Sequence, residues 1–133
     1  MTGEDRLTQA AIAALDKAYA PYSNFPVAAA LMDEAGLIHT GVNVENAAYP
    51  VGCCAEQSAI SAMILAGSRQ IASIAVAGKG DGLTTPCGGC RQRIREFASP
   101  ETPILICGPE GVRARFQLAD LLPHSFGPEN LDS

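Results

Sequence analysis

Two short stretches hold residue types that could do chemistry. "VGCCAEQSA", residues 51–59, sets Cys53 and Cys54 side by side and follows them with Ala55, Glu56 and Gln57. "TTPCGGCRQ", residues 84–92, supplies Cys87 and Cys90 in a C-x-x-C spacing. On its own that spacing fits a redox motif and half of a structural zinc site equally well. A closed structural zinc site needs four ligands. Here Cys87, Cys90 and one of the Cys53/Cys54 pair make three, with Glu56 close by, and three thiolates with an open position is the arrangement of a catalytic zinc. Both cysteine segments precede or open predicted helices, whose N-terminal amides stabilise thiolate charge. Glu56 stands in an apolar run, where a carboxylate is costly to bury unless something pairs with it or ionises beside it. The competing reading is a first-turn residue favoured by the helix dipole.

The elements that must position these residues follow from spacing. "TGED" at residues 2–5 resembles a capping box, with Thr2 as cap and Asp5 at the third helical position. Leu7, Ala11, Ala14, Leu15 and Ala18 then keep helical spacing until Pro21. "FPVAAALMD" (25–33) and "LIHTGVNV" (37–44) read as strands joined through "EAG". Residues 54–66 read as a helix rich in small residues, ended by Gly67. "IASIAVAG" (71–78) and "PILICG" (103–108) read as strands covered on both faces. "GGCRQRIREF" (88–97) reads as a helix with Cys90, Ile94 and Phe97 on one face and arginines mainly on the others. "FQLADLL" (116–122) reads as a short closing helix, with room for one further strand before it. This alternation favours an α/β layered domain with a mixed central sheet.

The chain's 133 residues argue for a single domain, 1–133, with one core. Apolar residues make up 47% of it but aromatics only 5%, so alanine lets elements approach closely, in the core or across a subunit interface. No segment reaches the roughly 18 apolar residues of a membrane span. "MTGEDRLTQ" is acidic where an export signal is basic, and a cytoplasmic location is expected. With a formal net charge of −5 and no long basic run, the chain lacks the broad positive field that a polynucleotide needs. A small-molecule partner is expected instead. Five cysteines are an odd number without an export signal, which favours metal binding or reactivity over a disulfide frame. Cys53 and Cys107 read as ordinary buried cysteines. His39 and His124 read as a strand and a loop residue. Arg91, Arg93 and Arg95 read as a mostly solvated helix face, although Arg91 adjoins a cysteine of the C-x-x-C pair.

"CAE" followed by "PCGGCRQ" resembles the zinc-dependent cytidine deaminases, specifically the small homotetrameric class with three cysteine ligands. "YSNFPVAAAL", "GVNVENAAYP" and "LLPHSFGPENL" are similar to that family in the same order, so the resemblance spans most of the chain. It implies a three-layer αβα sandwich around a mixed, roughly five-stranded sheet. It implies one Zn2+ per chain on Cys54, Cys87 and Cys90, with Cys54 chosen over Cys53 because it directly precedes Ala55-Glu56. Glu56 would be the proton shuttle and not a ligand. Asn43 and Glu45 resemble the pair that binds ribose hydroxyls, where the residues alone read as a polar loop. Phe25 resembles the aromatic that packs on the pyrimidine, its plainer reading being a core residue at a strand start. The Ala55 backbone would contact the base. Phe126 resembles a C-terminal aromatic that reaches a neighbouring subunit's site, and Tyr49 is expected near a subunit boundary.

The implied reaction is hydrolytic deamination of cytidine and deoxycytidine to uridine and deoxyuridine, a step of pyrimidine salvage, in a homotetramer with shared sites. Two residues depart from the family's pattern. Members often carry arginine after "CAE", donating to the zinc thiolates, where this chain has Gln57. They commonly carry glycine where this chain has Ala28. With Gln57 neutral, helix N-termini and Arg91 are the expected sources of compensation. Two other readings compete: a deaminase of another aminopyrimidine nucleoside, such as a nucleoside antibiotic, and a non-catalytic zinc-binding module. Glu56 separates the last from the enzymes, since a structural site has no need of a carboxylate beside an open metal position.

Overall fold

The computed structural model describes residues 1–132. The first helix, α1 (Gly3–Ala14), begins at the expected cap: Thr2 Oγ1 accepts the Asp5 N–H at 3.0 Å, and Asp5 Oδ2 accepts the Thr2 N–H at 3.1 Å. Strand β1 (Val27–Asp33) lies between β2 (Ile38–Val42) and β3 (Ile71–Gly78) and is antiparallel to both. Strand β4 (Pro103–Gly108) runs parallel to β3, and β5 (Gly111–Gln117) closes the far edge antiparallel to β4. The sheet is thus mixed and five-stranded, in the order β2-β1-β3-β4-β5. Helix α2 (Ala55–Leu65) follows β2, α3 (Gly88–Phe97) links β3 to β4, and the short α4 (Leu118–Leu121) follows β5.

Strand alternation sorts the core into two layers. Ala28, Ala30, Ala75, Ala77, Leu105 and Cys107 face α1, meeting its Leu7 and Ala11. Ala29, Leu31, Ile74, Val76, Ile104 and Ile106 face the opposite way, against Ala59, Ile60 and Met63 of α2 and Ile94 of α3. Helices therefore cover both faces, giving the expected αβα sandwich. Alanines supply most of the α1 face, and Ala28 is fully buried there.

Boundaries differ at several places. Helix α1 ends at Ala14 and tightens into a 3-10 turn, Leu15–Lys17, before Ala18 turns extended, so it does not reach Pro21, and β2 is shorter than the 37–44 run. Strand β1 starts at Val27, because the Asn43 side chain bonds the chain just ahead of it. Phe116 and Gln117, expected in the closing helix, pair with Ile104 and Pro103 as the end of β5. His39 lies on β2 as expected, its Nε2 2.8 Å from the buried Asp33 carboxylate. That carboxylate also accepts from Ala35 N, Leu37 N and Ser68 Oγ, tying the β1–β2 turn to the loop after α2. His124 lies in the loop after α4 with φ 51°. Among the described residues no helix is long and apolar enough to cross a membrane.

One glycine decides where α2 sits. A Cβ on Gly41 would stand 2.3 Å from Ala59 N and 2.6 Å from Ala55 O, so β2 and α2 touch backbone to backbone. Neither atom belongs to a flexible side chain that could turn away. Gly41→Ala should therefore destabilise the fold by about 1–3 kcal/mol, as overpacking does. It should also lower zinc content, because Ala55 opens the helix whose N-cap is Cys54. Thermal unfolding and metal analysis of the variant check both, and unchanged values would mean that α2 can slide without cost.

Candidate metal centre and active site

Helices α2 and α3 start at the same place. Cys54 is the N-cap of α2 and Cys87 the N-cap of α3, and neither thiol makes a capping hydrogen bond. Cys90 lies three residues on, within the first turn of α3, which is what a C-x-x-C spacing astride a helix start produces. The three sulfurs all lie within 4.8 Å of one another. Sulfurs about 2.3 Å from one tetrahedral zinc stand about 3.8 Å apart, so the set fits that ion with little adjustment.

The neighbouring Cys53 is kept out by local backbone geometry. Its N–H and C=O both bond Val44, at 2.9 Å each, in an isolated antiparallel bridge. Successive side chains of an extended segment point opposite ways. With Cys53 fixed outward, Cys54 turns toward the cluster. The expectation that Cys53 is buried is corrected accordingly: it is exposed, while Cys107 is buried as expected. Burial pushes the Cys107 thiol up to about 11, leaving it inert at neutral pH.

Without a cation the cluster holds more potential negative charge than it can ionise. Burial, then Glu56 and the other two sulfurs, push the Cys90 thiol far above its ordinary value. Burial likewise raises Cys54. Burial also acts upward on Cys87, but the Cys90 backbone amide and the neighbouring thiols bring it below the ordinary value. A divalent cation removes this conflict, and three thiolates are the donor set that zinc favours.

Glu56, in the first turn of α2, is 4% exposed, and burial raises its carboxyl above the usual range. It borders a cavity of about 660 Å³ that also takes in Cys54, Ala55 and Cys87. Phe25, Asn43, Glu45 and Tyr49 line the same cavity, so eight of the twelve expected site residues line it, and Cys90 lies within sulfur-cluster distance of two of them. Phe126, Gln57 and Arg91 lie outside it.

Asn43 and Glu45 are already at work in the chain. Asn43 Oδ1 accepts the Val27 N–H at 2.9 Å and its Nδ2 donates to Phe25 O at 3.0 Å, which holds Phe25 at the cavity wall. Glu45 Oε1 accepts the Tyr22 and Ser23 N–H groups at 2.9 and 3.1 Å, and its Oε2 accepts from Ser23 Oγ. These bonds, the Ser23 hydroxyl foremost, hold the Glu45 carboxyl below its usual range. At neutral pH it is an ionised acceptor facing the cavity.

The family model for the cytidine and deoxycytidylate deaminase zinc-binding region matches residues 1–106. A cytidine deaminase of Sporosarcina psychrophila is 41% identical over 118 residues, 89% of this chain and 87% of that protein. The chain belongs to the cytidine deaminase family. A cytidine deaminase of Mycobacterium tuberculosis is 40% identical over 114 residues, covering 86% of this chain and 82% of that one. Among solved structures, the cytidine deaminase from Burkholderia pseudomallei superposes with a TM-score of 0.86 at 43% identity, over 95% of this chain and all 100% of that one. Membership makes this chain a zinc-dependent hydrolytic deaminase.

For a cytidine deaminase the arginines of α3 are placed unexpectedly. The solvated face read from sequence is corrected for two of them. Arg91 donates to Pro86 O at 2.7 Å, Leu121 O at 2.8 Å and Thr85 Oγ1 at 3.3 Å. Every partner is oxygen, so Arg91 braces the turn that leads into Cys87 and does not reach a thiol. Arg95 is 8% exposed, donates to Ser125 Oγ at 2.9 Å and pairs with Glu129. Arg93 keeps an exposed outer side, yet its Nη1 lies 3.5 Å from Cys90 Sγ. Sequence reasoning missed this contact; the i, i+3 spacing of Cys90 and Arg93 on a helix was the available signal. Gln57 is half-buried in the first turn of α2. Tyr22, Thr84 and Thr85 also line the cavity and were not singled out.

Arg95 and Gln92 hold the C-terminal segment. Gln92 Nε2 donates to Phe126 O at 2.8 Å, next to the Arg95–Ser125 bond. The backbone carbonyl of Phe126 is thereby fixed to α3, while the residue remains 57% exposed.

Proposed function

We propose that this chain converts cytidine and 2'-deoxycytidine to uridine and 2'-deoxyuridine with release of ammonia, as a step of pyrimidine salvage. One observation carries the reading: three thiols within 4.8 Å of one another stand beside a buried carboxylate at the wall of a nucleoside-sized cavity. Held by Cys54, Cys87 and Cys90, zinc would acidify a water and present it to C4 of the base. Glu56 does the proton work. It takes one proton as the water oxygen bonds C4 and passes it to N3. It then takes the second proton from the hydroxyl now on C4 and gives it to the exocyclic nitrogen, so that the C4–N bond breaks, ammonia leaves and the C4 carbonyl forms. The raised carboxyl affinity for protons suits a group that must both accept and donate near neutral pH. The Ala55 backbone, at the buried start of α2, contacts the base, and Phe25 packs on its face.

Asn43 and Glu45 read the sugar. Glu45 is ionised and accepts only, which matches hydroxyl donors, and Asn43 Nδ2 retains a second hydrogen beyond the one given to Phe25 O. A substrate without its sugar leaves the second Asn43 Nδ2 hydrogen and the remaining acceptor capacity of Glu45 without a partner. Cytidine and deoxycytidine should both be turned over, and free cytosine roughly 10²–10⁴-fold more slowly in kcat/KM. An ultraviolet assay of purified protein with the three compounds checks this, and comparable turnover of cytosine would refute the assignment of Asn43 and Glu45.

The working form proposed is a cytoplasmic homotetramer with shared sites. Tyr22 and Tyr49 stack edge to face at 6.2 Å on the cavity wall, and both are exposed in the single chain. Phe126, exposed and with its backbone carbonyl fixed, suits insertion into a neighbouring subunit's site. Five free thiols suit a reducing compartment. Light scattering should give about four times the 13.8 kDa chain mass. A fully active monomer would exclude shared sites.

A further inference from the structure

Three thiolates on one zinc leave a formal surplus of one negative charge, and the Glu56 carboxylate adds to it. Groups that donate to the sulfurs draw electron density away from the metal and keep it acidic, and losing such partners typically costs 10–100-fold in metal affinity or activity. Gln57, next to Glu56, is neutral and brings no charge. Of the three arginines on α3, Arg91 and Arg95 spend their hydrogen bonds on oxygen.

Arg93 differs. Its Nη1 lies 3.5 Å from Cys90 Sγ, and no other hydrogen bond from its guanidinium occurs among the described residues. The position is built around a bare backbone: a Cβ on Gly89 would stand 3.2 Å from Arg93 Nη1 and 4.0 Å from Cys87 Sγ. The guanidinium therefore lies against the first turn of α3, in hydrogen-bond reach of Cys90 and beside the glycine that also borders Cys87. Cys90 itself is fully buried, so this contact is shielded from water on the sulfur side.

We propose that Arg93 is the positioning cation of the metal centre, supplying from α3 the positive charge that balances the three thiolates. The proposal rests on Cys54, Cys87 and Cys90 holding zinc, and it adds a residue that acts on the metal through Cys90 without touching substrate. Arginine suits the task because it stays charged and its planar fork can donate while the stem remains solvated.

The test compares the zinc-loaded parent with Arg93→Met, which keeps the stem without the charge, and Arg93→Lys, which keeps the charge without the fork. Zinc transfer to an excess of chromogenic chelator should be about tenfold faster in Arg93→Met, with Arg93→Lys between it and the parent. In the cobalt-substituted proteins the thiolate-to-metal charge-transfer band should move to lower energy in Arg93→Met, because the sulfur electrons lose a nearby positive charge. Neither readout depends on turnover. Release rates and band positions equal to the parent's would overturn the proposal and return Arg93 to the solvated face of α3. A parent that binds neither ion through thiolates would sink the zinc reading as well, and would do so before any variant is compared.

Discussion

Glu56→Gln should fold, bind one zinc per chain and lose nearly all turnover. The amide is isosteric and uncharged, so it removes a negative charge from beside the three thiols and leaves packing in the first turn of α2 unchanged. Metal content should hold or rise. Turnover is another matter, since an amide can neither take the proton from water nor return one to N3. A positioned general acid–base contributes about 10²–10⁴-fold. One group used for several transfers in a single cycle belongs at or beyond the upper end of that range. Cytidine turnover and metal analysis on the same preparation decide it. Near-normal kcat in a zinc-replete variant would remove Glu56 from the mechanism.

The second large effect is the loss of zinc on replacing a single sulfur. Cys54→Ser, Cys87→Ser and Cys90→Ser should each purify with little or no metal and turn over cytidine at least about 10³-fold more slowly, because two thiolates and a poorly acidic hydroxyl no longer make a zinc site. Cys53→Ser should keep one zinc and near-parent activity. Its side chain is exposed at the cavity border and stands outside the three-sulfur cluster, and serine is nearly isosteric and preserves both backbone hydrogen bonds to Val44. Cys90→Ser should also be the least stable of the four, since it alone replaces a fully buried sulfur. Zinc retained by Cys54→Ser and lost by Cys53→Ser would exchange the two assignments.

Much of this arrangement is legible in the chain. The Thr2–Asp5 box fixes the start of α1, and the apolar runs at 71–78 and 103–108 are the central strands. The proposed ligands and Glu56 follow from the family resemblance of "CAE" with "PCGGCRQ", and the fold brings the three sulfurs together with Glu56 next to Cys54 in the first turn of α2. What escapes reading is what tertiary structure alone decides. Strand β5 carries Arg113 and Arg115, which pair with Glu110 and Glu4. A half-exposed edge strand of that kind shows little alternation, so its last two residues read as helix. The exposure of Cys53 depends on a bridge to Val44, nine residues earlier, that no local pattern announces. The three arginines of α3 look alike in sequence. Their separate roles come from what the fold sets beside each: a carbonyl-lined turn, a sulfur, and the C-terminal segment.

The bridge between Val44 and Cys53 has a consequence for how the molecule can change. It closes residues 45–52 into a loop whose two ends are pinned to each other, and the thiol cluster begins at the first residue beyond the pin. Doubling the length of a flexible loop costs only about 0.6 kcal/mol in closure entropy. Residues inserted among Asn46, Ala47 and Ala48 would therefore be absorbed between the pinned ends, and Cys54 would keep its place. The part of the cavity wall that lies between the two hydrogen bonds, from Glu45 to Gly52, can thus vary in lineage or by design while the start of α2 and its cysteine are inherited intact.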